Sequence, residues 1–463
     1  MKDIKNLKIA YIGGGSRGWA RNVMNDLYRE EQLSGEVRLY DIDLEAAQKN
    51  AIIGNRISTM PECKGKWLYR ATDDIKTALT GADFVFISIL PGTFDEMASD
   101  VHAPEKYGIW QSVGDSTGPG GIVRAMRTIP MFEYFARSIA AYCPDAWVIN
   151  FTNPMTMCVR TLYKVFPEIK AFGCCHEVFG TQTILGKVIE EELGRKAARD
   201  EIRINVLGVN HFTWLTEAKY MGTDLFPLYD KYVDRHRREG IENISKGHWI
   251  NGAFASQELV KFDLFKRCGA IAAAGDRHLA EFCPGNWYLA SPEKVHEFGF
   301  TLTPVSHRIE ERKRLIADTD EIVRTGNFPF YATGEETVRQ LKALLGLGDF
   351  VTNVNIPNAG QMEGIPLGAV VETNAFFSGN SVRPLMAGGL PNAAAVLVHR
   401  IVLEQETVVD AVLRGDYEAV FGAFANDPNV CLPLDKARAL FDEMLENTKA
   451  YLPHYDAYKR SRT

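Results

Sequence analysis

Long hydrophobic runs, clustered positive charge and dense cysteine are all missing from this chain of 463 residues. No stretch reaches the roughly 18 apolar residues that a membrane helix needs. The N-terminal run Ile4 to Leu7 is broken by Lys5 and Asn6, so no secretory signal is expected either. Lysine and arginine number 52 against 59 aspartate and glutamate, a net charge of −7, and the basic residues are scattered. The electrostatic footprint that nucleic-acid binding requires is absent. Eight cysteines are too few over this length for a disulfide scaffold. A reducing cytoplasm is the simple expectation, one in which a ligand cysteine stays a thiol. No internal repeat or low-complexity linker interrupts the chain.

What is present is the composition of a soluble globular protein, 46% hydrophobic and 24% charged, long enough for roughly two to four domains. Apolar runs alternate with amphipathic stretches through the first half, the pattern of β-α-β units. Strands are expected at 8–13, 37–41, 66–70, 84–90, 147–150 and 171–174, with helices from near Ser16 and over 44–56. Six such strands fit the two mononucleotide-binding halves of a doubly wound sheet. From about Glu201 the rhythm changes: 203–208 and 213–220 read as paired antiparallel strands, followed by a charged segment at 230–246. Later come strands at 350–354 and 368–373 and a long helix from Pro391 to about Leu413, with proline at its first position. The expected domains are therefore 1–200 and 201–463.

Gly13, Gly15 and Gly18 satisfy G-x-G-x-x-G after a strand and before a helix, with Ser16 and Arg17 inside the turn. Such a turn brings backbone amides close to a pyrophosphate at a helix N-terminus. Asp41, at the end of the second strand, is placed to hold a ribose 2′-hydroxyl and favours NAD over NADP; Asp43 lies past the strand end and is the poorer partner. The strands ending at Leu90-Pro91-Gly92, Asn150–Pro154 and Cys174–His176 finish at one edge of the sheet, where ligands of open α/β sheets bind. Pro91 is counted with the cofactor loop. Thr152-Asn153-Pro154 offers an amide and a hydroxyl to a polar substrate, or only reverses the chain.

Cys175 and His211 would be borderline-soft ligands for a divalent ion. A buried cysteine and a satisfied core histidine are the more common outcome of such a pair. Gly114–Gly121 is a second glycine-rich turn, whose Asp115 supplies an acid or a hydrogen bond, unless the turn only caps a helix start before Ile122. Gly275–Phe282 packs Asp276, Arg277, His278 and Glu281 together, readable as a base with an anion-binding arginine or as a surface ion pair.

Taken together these runs resemble glycoside hydrolase family four, the NAD- and metal-dependent glycosidases that depart from two-carboxylate hydrolysis. The likeness covers nearly the whole chain: the 13–18 fingerprint, Thr152-Asn153-Pro154, Cys175-His176-Glu177-Val178 and Asn210-His211-Phe212. It continues through Asn353–Asn358, Val371–Asn374 and Gly389-Leu390-Pro391. The resemblance implies an α/β protein, a Rossmann-like doubly wound parallel sheet followed by a C-terminal α+β domain, the architecture of lactate and malate dehydrogenases. Members acting on phosphorylated sugars carry Asp or Asn after the cysteine. His176 resembles the others, and Cys-His-Glu-Val the α-galacturonidases.

The implied chemistry is oxidation at C3 by NAD⁺, loss of the C2 proton, departure of the C1 oxygen, water addition and return of the hydride. By the same resemblance Cys175 and His211 hold Mn²⁺ or another divalent transition metal. His176 donates a proton to the leaving group, Asn153 touches sugar hydroxyls, and Asp276 is the base with Asp263 second. A uronate carboxylate calls for arginine, with Arg277 and Arg124 as candidates. A homodimer or homotetramer is also implied. The alternatives are an α-glucuronidase or neutral α-glucosidase or α-galactosidase of the same family, a 2-hydroxyacid-type dehydrogenase with His211 as proton acceptor, and a non-catalytic NAD sensor.

Overall fold

The computed structural model describes residues 4–241 and 256–462. The six apolar runs of the first half form β1 (Ile4–Ile12), β2 (Leu33–Tyr40), β3 (Trp67–Thr72), β4 (Phe84–Ile87), β5 (Trp147–Asn150) and β6 (Lys170–Gly173). They lie parallel in the order β3-β2-β1-β4-β5-β6, the doubly wound order. The pleat explains why Ile9–Ile12 and β4 at the centre of the sheet are continuously apolar, since successive side chains point to opposite faces and both are buried. Ile9 and Tyr11 join one cluster with Val37, Leu39, Phe84 and Phe86, while Ala10 and Ile12 join another with Val85, Ile87 and Val148. A parallel sheet covered by helices on both sides has no polar face to spare.

Element ends shift where a side chain or turn intervenes. The first helix is Trp19–Leu27 and starts after Ser16, because 13–18 are spent on the turn and Ser16 Oγ accepts the Trp19 amide at 3.1 Å. The second, Leu44–Ile57, is capped by Asp43, whose carboxylate accepts the Ala46 amide at 3.1 Å. Strand β4 ends at Ile87, three residues before the expected end, and Ser88–Leu90 leave the ladder to line a cavity.

The second half begins with β7 (Ile202–Val209) and β8 (Phe212–Tyr220), an antiparallel pair joined at Asn210-His211, flanked by β9 (Thr223–Asp224) and β10 (Ile271–Ala272). His211 sits in the turn with φ 65°, the left-handed region. The charged segment expected at 230–246 is helical over Phe226–His236, and beyond 241 it lies outside the described residues.

Strands β11 (Phe350–Pro357), β12 (Val370–Ser378) and β13 (Ser381–Pro384) then return to the first half. β11 runs antiparallel to β6, meeting it where Asn355 faces Gly173, so one nine-stranded sheet draws on residues from both sides of position 200. The long helix is Asn392–Arg414, with Pro391 at the cap position rather than the first helical one. Its Val408 and Val409 share a cluster with Ile122 and Met126 of the helix Gly118–Tyr142. Among the described residues no helix is long and apolar enough to cross a membrane.

Candidate active site

A cavity of about 1260 Å³ opens along the carboxyl edge of the parallel strands and is closed from the other side by the second half of the chain. One end is the glycine turn. Gly13 has φ 90°, and a Cβ there would lie 2.0 Å from the Ser88 carbonyl oxygen, so only glycine fits. A Cβ on Gly15 would meet the Asp41 carboxylate at 2.8 Å. That carboxylate accepts the Gly15 amide at 2.8 Å and the Asp43 amide at 2.9 Å, so Asp41 shapes the turn as well as facing the cavity. Ser16, Arg17 and Gly18 line the same end, with Arg17 3.4 Å from Asp43. Buried Asn50 holds the turn from behind, donating to the Gly14 and Ser16 carbonyls at 2.8 and 3.0 Å. Pro91 does not line the cavity, although its neighbours Leu90 and Gly92 do; its carbonyl accepts from Arg127 at 2.9 Å instead.

The other end gathers the polar side chains. Asn153, after β5, donates to Asp115 at 3.3 Å, and its buried Oδ1 has no hydrogen-bond partner. The Ser116 hydroxyl donates to Asp115 at 2.7 Å and lies 2.9 Å from His211 Nδ1. His211 and His278 stack with ring centroids 3.7 Å apart. Asp115, His211 and His278 each present a ligand atom within 4.8 Å of the other two. The Nδ1 of His278 is buried and without a hydrogen-bond partner. Cys175 lines the same cavity, with its Sγ outside that 4.8 Å grouping.

Charge follows from these neighbours. Burial would raise the Asp115 carboxyl, but His211, His278 and Arg124 outweigh it and hold it far below the carboxylate range. Burial lowers both imidazoles, His278 to about 3 with His211 adding to the effect, and favours the neutral, ligating ring, while Asp115 and Glu177 pull the other way. Burial, then Glu372 and Glu177, pushes the Cys175 thiol well up, so a thiolate forms there only against a cation. Glu372 is itself buried and accepts the side-chain amides of Asn210 at 3.1 Å and Asn353 at 2.7 Å. The asparagine- and glutamate-bearing runs of the second half thus build a polar scaffold behind Cys175.

Glu177 lines the cavity as well; it accepts the Gly275 amide at 2.8 Å and lies 3.8 Å from His278 Nε2. Burial opposes its charge, but His278, His211, His176 and the Gly275 amide lower it to about 2. His176 faces the cavity with Nδ1 3.5 Å from Glu335, a carboxylate 159 positions along the chain that no motif announces. Arg124 and Arg277 are both at the wall, Arg124 donating to the Asn153 carbonyl at 3.2 Å and Arg277 to the Ser112 carbonyl at 3.2 Å. Arg308 and Arg312 join them from the helix Val305–Thr325.

The two aspartates expected to act as base are elsewhere. Asp276 is fully buried outside the cavity, where its oxygens accept the Val260 and Lys261 amides at 3.2 and 3.0 Å and cap the helix Leu259–Cys268. Burial and the nearby Glu258 push its carboxyl up to about 7. Asp263 pairs with Arg267 at 2.6 Å and with the Tyr288 hydroxyl, again away from the cavity. What sequence reasoning passed over is His278, two residues on from the chosen aspartate, together with Ser116 and Glu177. Helical phase was the usable signal, because residues 276 and 278 project some 200° apart on a helix.

The chain matches the model of the family 4 glycosyl hydrolases over residues 8–191 and that of their C-terminal domain over 206–430. It is 59% identical over 452 residues to a protein of Thermoanaerobacterium saccharolyticum named α-galacturonidase, covering 97% of each chain. A solved Bacillus subtilis structure described as a putative glucosidase superposes with a TM-score of 0.91 at 49% identity, covering 96% of this chain and all of that one. The 6-phospho-β-glucosidase of Thermotoga maritima, solved with manganese, NAD⁺ and glucose 6-phosphate, shares the fold with a TM-score of 0.76 at 19% identity, over 96% of this chain and 99% of its own.

Proposed function

The chain belongs to the family 4 glycosyl hydrolases, and on that premise we propose that it hydrolyses α-galacturonides with the help of NAD⁺ and a divalent metal ion. The observation that carries the sugar assignment is the near-full-length 59% identity to an α-galacturonidase. The cavity chemistry agrees with it. Buried Arg124 and half-buried Arg277 are suited to a substrate carboxylate, and the orphaned Asn153 Oδ1 is suited to accept a sugar hydroxyl.

The residues present fit both cofactors. A Cβ at Gly13 or Gly15 would strike Ser88 or Asp41, so glycine holds the turn tight, and the turn lines the cavity at a helix N-terminus together with Asp41, where a pyrophosphate and ribose would lie. Cys175 and His211 are the proposed metal ligands; Asp115 and His278 cluster with His211, and Cys175 faces them from the wall of the same cavity, nitrogen, oxygen and sulfur donors open to a transition ion such as Mn²⁺. When bound, NAD⁺ supplies a reversible hydride acceptor and the metal a Lewis acid for the sugar oxygens.

The protein's own work is positioning and proton transfer. Arg124 and Arg277 fix the sugar by its carboxylate. Asn153, held by its contact with Asp115, orients the ring hydroxyls. Asp115, held ionised by His211, His278 and Arg124, serves as ligand and orienter. His176, backed by Glu335, donates a proton to the departing glycosidic oxygen. A homo-oligomer in a reducing cytoplasm completes the proposal; light scattering tests the first, and the eight free cysteines suit the second.

The test is release of para-nitrophenol from para-nitrophenyl α-D-galacturonide with NAD⁺ and Mn²⁺ each added or withheld under reducing conditions. Release that needs both additions, with no net NADH, supports the reading and excludes a plain dehydrogenase. No release in any combination would remove galacturonate as the sugar and make α-glucuronides the next substrates to try.

A further inference from the structure

Glu177 opens the helix Glu177–Leu193, where first-turn amides favour an anion. Its carboxylate reaches across to the second half of the chain. Oε2 accepts the Gly275 amide at 2.8 Å, a bond between residues 98 positions apart. Oε1 lies 3.8 Å from His278 Nε2, close but longer than a hydrogen bond.

Gly275 has ordinary extended backbone, φ −72° and ψ 153°, so glycine is not needed there for its dihedrals. A Cβ at that position would come within 3.2 Å of Glu177 Oε2. The missing side chain therefore makes room for the carboxylate. Directly after Gly275 come Arg277 and His278, both on the cavity wall. Because Nε2 is the ring nitrogen towards Glu177, Nδ1, buried and without a hydrogen-bond partner, is the nitrogen left for a metal.

We propose that Glu177 is a positioning residue that clamps the turn Gly275–His278 to the start of helix Glu177–Leu193 and orients the His278 ring, so that Nδ1 is offered to the metal site. This rests on the reading above that His278 belongs to the donor set. Carboxylates behind metal-bound imidazoles fix ring orientation in this way, and their loss typically costs about 10- to 100-fold in metal affinity. The residue type after Cys175-His176 is then explained by a neighbour in the fold.

The experiment is Mn²⁺ binding to the full-length, NAD⁺-loaded protein, measured by calorimetry and by the Mn²⁺ paramagnetic resonance spectrum. The variants are Glu177→Ala, Glu177→Gln, Gly275→Ala and His278→Ala. Glu177→Ala is expected to weaken Mn²⁺ by about 10- to 100-fold and to change the spectrum. Glu177→Gln, which still accepts the Gly275 amide, should recover part of that loss and guards against a folding defect in the alanine variant. Gly275→Ala, which presses on the carboxylate, should fall between wild type and Glu177→Ala. Wild-type affinity and spectrum in both Glu177 variants, with weakened binding in His278→Ala, would overturn the clamp and leave the metal reading standing. Wild-type binding in His278→Ala would overturn the metal reading at that residue and the clamp with it.

Discussion

At the level of single residues, the acidic side chains divide by what their oxygens face. Asp276 spends its carboxylate on the amides of Val260 and Lys261. Asp276→Ala is therefore expected to lose about 1–2 kcal/mol of stability, the usual cost of a lost helix cap, while exchange of the substrate C2 proton with solvent continues. A variant that folds with wild-type stability and has lost that exchange would restore Asp276 as the base. His176 is the opposite case, a cavity residue backed by Glu335. A proton donor matters in proportion to how badly the leaving group needs it, so His176→Asn should cost about 10²- to 10⁴-fold on an alkyl galacturonide and far less on the para-nitrophenyl one. Equal losses on both substrates would argue that His176 only shapes the pocket. Sequence order made these two roles hard to read. Cys175, His211, Asn153 and the glycine turn stand in runs with a recognisable grammar, whereas Glu335 comes to His176 only through the fold.

At the level of elements, the strands at the centre of the parallel sheet were legible because they are apolar runs buried on both faces, the outer β2 and β3 because apolar residues alternate along them, and the helix Leu44–Ile57 because Asp43 caps it where periodicity begins. The return of β11 to β6 was not, since a strand that joins a distant sheet carries the same alternation as one that joins its neighbour. A related long-range tie fixes the first helix, Trp19–Leu27. Its Asp26 accepts the Thr333 hydroxyl at 2.5 Å, and Asn25 accepts the Tyr331 amide at 3.1 Å. Burial, with Glu335 adding to it, raises the Asp26 carboxyl from 3.8 to about 7. Between those values the folded protein holds a proton that the unfolded chain has released. The stability this group contributes is therefore complete below pH 3.8 and is lost as pH rises through about 7. Asp26→Asn should flatten that part of the stability profile, measured by denaturant unfolding at several pH values. An unchanged slope would mean that other groups set it.

At the level of the whole molecule, the two halves are joined more firmly by pairing and packing than by the covalent link between them. The nine-stranded sheet, the cluster shared by helices Gly118–Tyr142 and Asn392–Arg414, and the Glu177 bond to Gly275 all cross from one half to the other. The chain itself passes between them through Gly194-Arg195-Lys196, which is exposed on the surface. Brief trypsin treatment is expected to cut there, giving two bands under denaturing electrophoresis and one peak on gel filtration. The nicked protein should keep its glycosidase activity, whereas dissociation on cutting would show that the covalent link is required. A continuous sheet thus makes the polypeptide connection dispensable once folding is complete, and the two fragments, made separately, become candidates for reassembly into an active enzyme.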